Sequence, residues 1–256
     1  MLQAKRESQI TFLRSDLIDR IPGVVHGFST RRAERDDFTQ GPLSSSNPMI
    51  RINRARFVAA VGAIGWPILK LKQVHSGIVC DMDDTKAAGD AVEGDASVTS
   101  ISETLLGVQT ADCAPILIAD SQSRCVAAIH AGWRGAAARI SEKTVARLER
   151  KFGVAPGDLV ASIGPHIGAC CYEVGPEVVR EIADPDAIER HPEWEKPHLN
   201  LGVANRNQLL DAGLPASQIE TSSLCTRCRA DLFFSYRRDG EPTGRMLSVI
   251  GIEPRQ

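Results

Sequence analysis

The sequence predicts an α/β or α+β fold built on mixed sheets. Three observations carry this. Short β-branched or apolar runs alternate with stretches of helical periodicity along the whole chain. The mixed order of strands and helices suits mixed sheets rather than a bundle or an all-β sandwich. The 256 residues, 43% hydrophobic and 24% charged, are ordinary for a globular protein with a full core and no need of staples. The length allows one large domain or two small ones.

Taken in order, residues 24–28 read as a strand, and 53–63 as a helix with Phe57, Val58 and Val61 at helical spacing. Residues 69–74 and 78–83 are strand-like runs on either side of His75. Three more runs, 105–109, 116–119 and 126–129, are bounded by turn residues. The clearest helix is 135–152: Ile140, Thr144, Val145, Leu148 and Phe152 form one face, Arg and Glu cover the other, and Gly153 ends it. A strand at 159–163 follows, then a helix at 176–182 opened by Pro176 and another at 201–212. Strands at 219–223, 233–236 and 246–250 close the chain. The polar segment 32–48 reads as a long surface loop, and 183–197, rich in Asp, Glu and Pro, as a second exposed connection.

The net charge of −2 offers no basic field for nucleic acid or an anionic membrane. A small neutral or modestly anionic substrate suits it better. There is no signal-peptide core near the start and no run of about 18 apolar residues, so a cytoplasmic protein without membrane contact is expected. Its seven cysteines are then expected as thiols or ligands rather than disulfides. A monomer is expected.

Chemistry concentrates at three residues. His75 lies in Lys-Gln-Val-His-Ser-Gly between two strand-like runs. Cys113 lies in Gln-Thr-Ala-Asp-Cys-Ala-Pro at a strand joint. His130 ends an apolar run and leads through Ala-Gly-Trp-Arg-Gly into a helix. Strand ends that feed loops are where α/β folds place their sites. Singly, each is more often a satisfied structural residue. They lie 38 and 17 residues apart, unlike compact zinc signatures. Together, two imidazoles and a thiolate make a three-ligand zinc set that leaves a position open for an acidified water. Asp112 could orient a ligand or act as acid or base. Arg134, at the helix start four residues after His130, could bind an anion such as phosphate, and Trp133 beside it could stack on a base. Cys225 and Cys228 have Cys-x-x-Cys spacing without a second such pair, which argues against a zinc knuckle. The adjacent Cys170 and Cys171 read as structural too.

Eight motifs closely resemble the laccase-domain family, also called multicopper polyphenol oxidases, purine nucleoside phosphorylases or peptidoglycan editing factors. They are His-Gly-Phe-Ser-Thr-Arg (26–31), Gln-Val-His-Ser (73–76), Gly-Asp-Ala-Ser-Val-Thr (94–99), Gln-Thr-Ala-Asp-Cys-Ala-Pro (109–115), Ala-Ile-His-Ala-Gly-Trp-Arg-Gly (128–135), Ile-Gly-Pro-His-Ile (163–167), Cys-Cys-Tyr-Glu-Val (170–174) and Phe-Phe-Ser-Tyr-Arg-Arg-Asp-Gly (233–240). The resemblance spans 26–252. It implies a single domain over 1–256, core about 20–252, with two mixed sheets layered between helices. It implies zinc on His75, Cys113 and His130, with copper as an alternative. It also implies phosphorolysis of adenosine, inosine, guanosine and methylthioadenosine, together with adenosine deamination. After Arg31 this chain departs from the family's Gly-Gly-Val-Ser-like stretch, in a loop that could cover the site. Two other classes stand beside this one. A multicopper oxidase would need more imidazoles than His26, His166, His191 and His198 supply, and no His-x-His pair occurs. A cysteine hydrolase or amidase acting on peptidoglycan precursors would use Cys113 as nucleophile and His130 as base.

Overall fold

Each central strand divides its apolar residues between two faces, and that alternation builds the layers. The computed structural model describes residues 2–33, 37–41, 45–83 and 92–254. In chain order the strands begin with β1 (Leu2–Glu7), β2 (Ile10–Ser15), β3 (Val24–Ala33), β4 (Ile68–Lys70) and β5 (Val79–Asp81). Next come β6 (Ala96–Thr99), β7 (Leu105–Thr110), β8 (Ala114–Asp120), β9 (Val126–Ala131) and β10 (Leu159–Ile163). The last are β11 (Ile188–Glu189), β12 (His198–Leu199), β13 (Ile219–Thr221) and β14 (Met246–Ile252). The helices are α1 (Pro48–Ala60), α2 (Trp133–Ala137), α3 (Ile140–Phe152), α4 (Pro176–Glu181), α5 (Leu201–Asp211) and α6 (Tyr236–Asp239).

One six-stranded sheet has the order β1-β2-β3-β14-β7-β4 and the other β13-β10-β8-β9-β6-β5. Their facing sides share a core in which Phe28, Leu106, Val108 and Ile250 of the first meet Leu117, Ala119, Val126 and Ala128 of the second. The alternate residues point outward. Leu105, Leu247 and Val249 pack under Phe57 and Val58 of α1, and Ile116, Ile118, Ala127 and Ile129 under Ile140, Val145 and Leu148 of α3 and Leu209 of α5. The result is the expected four-layer arrangement of helix, sheet, sheet and helix. Parallel pairings (β4 with β7, β5 with β6, β10 with β13) stand among antiparallel ones, so both sheets are mixed. No helix among the described residues is long and apolar enough to cross a membrane.

Three expectations need correction. The helix expected at 135–152 is two helices, because Arg139 takes a left-handed conformation (φ 54°) between α2 and α3 and donates to Glu142 and Asp211. The cap at Gly153 (φ 67°) is as expected. Residues 233–236 are not a strand. Phe233 and Phe234 are buried, but β14 already pairs with β3 and β7, so no edge is free for them. Ser235 instead caps α6 by accepting from the Arg238 N–H. The 183–197 connection is partly ordered: Ala187 is fully buried, β11 pairs with β12, and Trp194 stacks on His198 at 3.9 Å. Part of the polar 32–48 loop lies outside the described residues.

Candidate metal centre and groove

Strand register explains how distant residues meet. β8 and β9 are antiparallel neighbours with Pro115 opposite His130 and Ala114 opposite Ala131. Cys113, one residue before β8, therefore lies beside the end of β9, and the 17-residue spacing is a hairpin there and back. β6 flanks β9 with Ala96 opposite Ile129, which brings Asp95 next to His130. β4 belongs to the first sheet and β5 to the second, so the chain crosses between the sheets in the segment that holds His75.

The donor atoms of His75, Cys113 and His130 all lie within 4.8 Å of one another. His75 is exposed, Cys113 half-buried and His130 buried, and the two imidazoles meet edge to face at 4.8 Å between centroids. Gly132 closes the cradle: a Cβ there would come within 2.9 Å of Cys113 Sγ and 3.4 Å of His75 Cδ2. His75 (φ 58°) and Asp112 (φ 102°) both hold left-handed backbone that costs free energy in a non-glycine residue, and such strain concentrates at functional sites.

A carboxylate that sequence reasoning gave no role holds the set. Asp95 is fully buried. Its Oδ1 accepts from the His75 N–H at 3.0 Å and lies 2.8 Å from His130 Nδ1. Its Oδ2 accepts from Ser76 N (2.6 Å), Ser76 Oγ (2.7 Å) and Val74 N (3.3 Å). An Nδ1–H donated to Asp95 leaves His130 Nε2 free to face Cys113, the usual way a carboxylate sets the tautomer of a ligand imidazole. Burial pushes the Asp95 carboxyl up, but the bonds from His130 and Ser76 outweigh it and hold the group at about 2. Burial likewise opposes ionisation of Cys113, yet His130 and His75 pull its thiol down to about 6. Burial disfavours His130's charge, while Cys113 and Asp95 raise its pKa to about 9. Cys113 and His130 thus shift each other in opposite directions, the thiol down and the imidazole up. The signal of Asp95 in the sequence was the Gly-Asp-Ala-Ser-Val-Thr motif, but nothing local ties it to His75 twenty residues earlier.

Asp112, buried one residue before Cys113, is held through both of its carboxylate oxygens. Its Oδ1 accepts from Thr226 Oγ1 and its Oδ2 from the Arg237 N–H, both at 2.6 Å. These bonds tie the loops that bear Thr226 and Arg237 to the residue before Cys113, and Asp112 also lines the groove. Arg134 stands exposed at the start of α2, its guanidinium 4.3 Å from the Trp133 ring centroid.

The trio lies in a groove of about 1250 Å³. Its walls carry five basic side chains (Lys70, Lys72, Arg134, Arg237, Arg245) against two acidic ones (Asp112, Glu241), with Trp133, Tyr172 and Tyr236 as aromatic surfaces. The other histidines are used elsewhere. His26 is buried, its Nε2 accepting from the Ser15 N–H at 2.8 Å, and burial drives its pKa down to about 3. His166 Nδ1 lies 2.8 Å from the Gly164 carbonyl, His198 is bonded to the Ala169 carbonyl, and His191 is exposed beside Trp194.

The model of the family described as multi-copper polyphenol oxidoreductase laccase matches residues 27–253. The chain belongs to this family. Among its relatives, the adenosine deaminase RL5 of an unknown prokaryotic organism is 41% identical over 247 residues, 88% of this chain and 93% of that protein. The purine nucleoside phosphorylase of Deinococcus radiodurans is 37% identical over 242 residues, 91% of each chain. The crystal structure of YlmD from Geobacillus stearothermophilus superposes with a TM-score of 0.85 at 31% identity, covering 98% of this chain and 99% of that one. Two imidazoles and a thiolate are donors that both zinc and a mononuclear copper accept. Among the described residues, the His/Cys/Asp/Glu groups able to hold a metal are the His–Cys–His trio and a set of four cysteines, and neither is an imidazole-rich copper cluster.

Proposed function

We propose that this chain is a metal-dependent purine nucleoside phosphorylase with adenosine deaminase activity, acting on adenosine, inosine, guanosine and methylthioadenosine with phosphate as co-substrate. The observation that carries the reading is the convergence of His75, Cys113 and His130 at the floor of a basic, aromatic-lined groove. The residues fit zinc. Two imidazole nitrogens and a cysteine sulfur are among its preferred donors, and the glycine cradle leaves the space beside them open. A zinc ion there supplies Lewis acidity beside the bound substrate. Relatives across nearly the full length carry the names of both activities.

The chain's own groups divide the remaining work. Asp95 fixes both histidines, so His130 presents one ring nitrogen in one tautomer. Arg134, with the other cations of the groove, holds phosphate. Trp133 and Tyr172 offer faces on which a purine can stack. Asp112 acts as a positioning residue, fastening Cys113 to the loops that bear Thr226 and Arg237.

A cysteine hydrolase is the second reading, favoured by one observation: His130 lies beside Cys113 and, with His75, draws its thiol down to about 6. Alkylation separates the two. As a ligand, Cys113 reacts slowly with iodoacetamide while metal is bound and quickly after chelation, scored on its own peptide by mass spectrometry. As a nucleophile it is alkylated readily in the active enzyme. A covalent substrate adduct on Cys113 in active, metal-free protein would replace the metal reading with the hydrolase.

A further inference from the structure

Four cysteines take no part in the groove, and they meet. Cys170 and Cys171 lie in the turn after β10, and Cys225 and Cys228 bound the turn Cys-Thr-Arg-Cys after β13. A bridge between His166 and Cys225, with the Thr226 N–H donating to the His166 carbonyl at 3.0 Å, lays one turn on the other. The Sγ atoms of Cys170 and Cys171 are 3.8 Å apart, those of Cys170 and Cys228 3.7 Å, and those of Cys171 and Cys228 3.4 Å. All four sulfurs lie within 4.8 Å of one another. Sulfurs bound at about 2.3 Å around one tetrahedral zinc stand about 3.8 Å apart. This spacing is that of a mononuclear site. An iron–sulfur cluster, whose cysteines bind different irons, needs them further apart.

The surroundings suit thiolates. The Gly168 N–H donates to Cys225 Sγ at 3.3 Å, and Arg227 Nη1 donates to Cys171 Sγ at 3.5 Å. Four thiolates around a divalent cation carry two excess negative charges, and Arg227 is placed to offset part of them. Cys170 and Cys228 are exposed, so a cation can enter from solvent.

We propose that Cys170, Cys171, Cys225 and Cys228 form a second, tetrathiolate zinc site that staples the turn after β10 to the turn after β13. Zn²⁺ replaces four thiol protons, giving a Zn(S-Cys)₄ unit of charge −2 and four H⁺, with no change of oxidation state. The staple reaches the groove through two neighbours. Thr226, between the ligands, donates to Asp112 beside Cys113, and Tyr172, following Cys171, lines the groove wall. The site therefore supports the groove without touching substrate. It does not depend on the chemistry proposed for the groove.

The test is zinc content and zinc X-ray absorption on the full chain, purified under reducing conditions from zinc-containing medium. The native protein is expected to hold two zinc ions. His75→Ala is expected to keep one, with an all-sulfur shell at about 2.3 Å. Cys228→Ser is expected to keep at most one, with a nitrogen-rich shell. If Cys228→Ser does not fold, the native and His75→Ala proteins still decide. A native protein with a single zinc in an all-sulfur shell would uphold this site and sink the groove's. A His75→Ala protein without zinc, or one whose Cys170, Cys171 and Cys228 are alkylated at once or joined in disulfides, would overturn the proposal.

Discussion

Replacing Asp95 with asparagine keeps its shape and removes its charge. The native carboxylate accepts five hydrogen bonds: from the backbone of Val74, His75 and Ser76, from Ser76 Oγ, and at His130 Nδ1. An asparagine has one oxygen to offer. Whichever way its amide turns, its NH₂ faces donors, on the Ser76 side or on the His130 side. Hydrogen bonds to a charged acceptor contribute about 1.5–3 kcal/mol each. Losing two or three, with some relaxation, should cost about 3–5 kcal/mol, the range found when one partner of a buried pair is removed. The His75 turn, held left-handed by this carboxylate, loosens, and His130 loses its enforced tautomer. Metal affinity should fall about 10–100-fold. Two assays read this: urea unfolding of the metal-free protein, and competition for zinc with a chromophoric chelator. An Asp95→Asn protein that unfolds at the native urea concentration and binds zinc equally tightly would refute the argument that Asp95 assembles the site.

Other consequences follow from the same geometry. Gly132→Ala should fold, since Gly132 has an extended backbone (φ −79°), yet hold far less groove metal, because the new methyl meets Cys113 Sγ; zinc content with unchanged circular dichroism checks this. Arg134→Ala should raise the apparent KM for phosphate by on the order of tenfold or more while changing phosphate-free adenosine deamination less; equal losses in both would make Arg134 structural. His26 folds neutral with its pKa lowered to about 3, so below about 6.5 the unfolded chain binds one more proton than the folded one. Stability should therefore fall by about 1.4 kcal/mol per pH unit as pH drops from about 6.5 towards 3. His26→Gln, measured by urea unfolding across that range, should flatten the slope, and an unchanged slope would contradict the assignment.

The layers were legible because the strands carry their pattern openly: Ile116 to Ala119 and Val126 to Ile129 are apolar on both faces, as strands covered on both sides must be. The groove trio was legible as residue types at strand ends. What escaped was whatever depends on partners far along the chain. Arg139 is a good helix former, so propensity gives no sign of the break between α2 and α3, where its side chain reaches Asp211 seventy-two residues on. Phe233 and Phe234 look like a strand in isolation, and only the filled edges of β14 forbid it. Asp95 shows no partner in the sequence, because only the pairing of β6 with β9 brings it to His130. Cys170 and Cys171 lie more than fifty residues from Cys225 and Cys228, so no spacing rule joins them.

The most direct test of the account is a single incubation: zinc-replete native protein and its Cys113→Ser variant with adenosine, with and without phosphate, the products separated by chromatography. The native protein should give adenine and ribose 1-phosphate only when phosphate is present, and inosine in either case, while Cys113→Ser should lose groove zinc and both activities together. Adenine formation that does not require phosphate, or a zinc-free Cys113→Ser protein that keeps either activity, would contradict it.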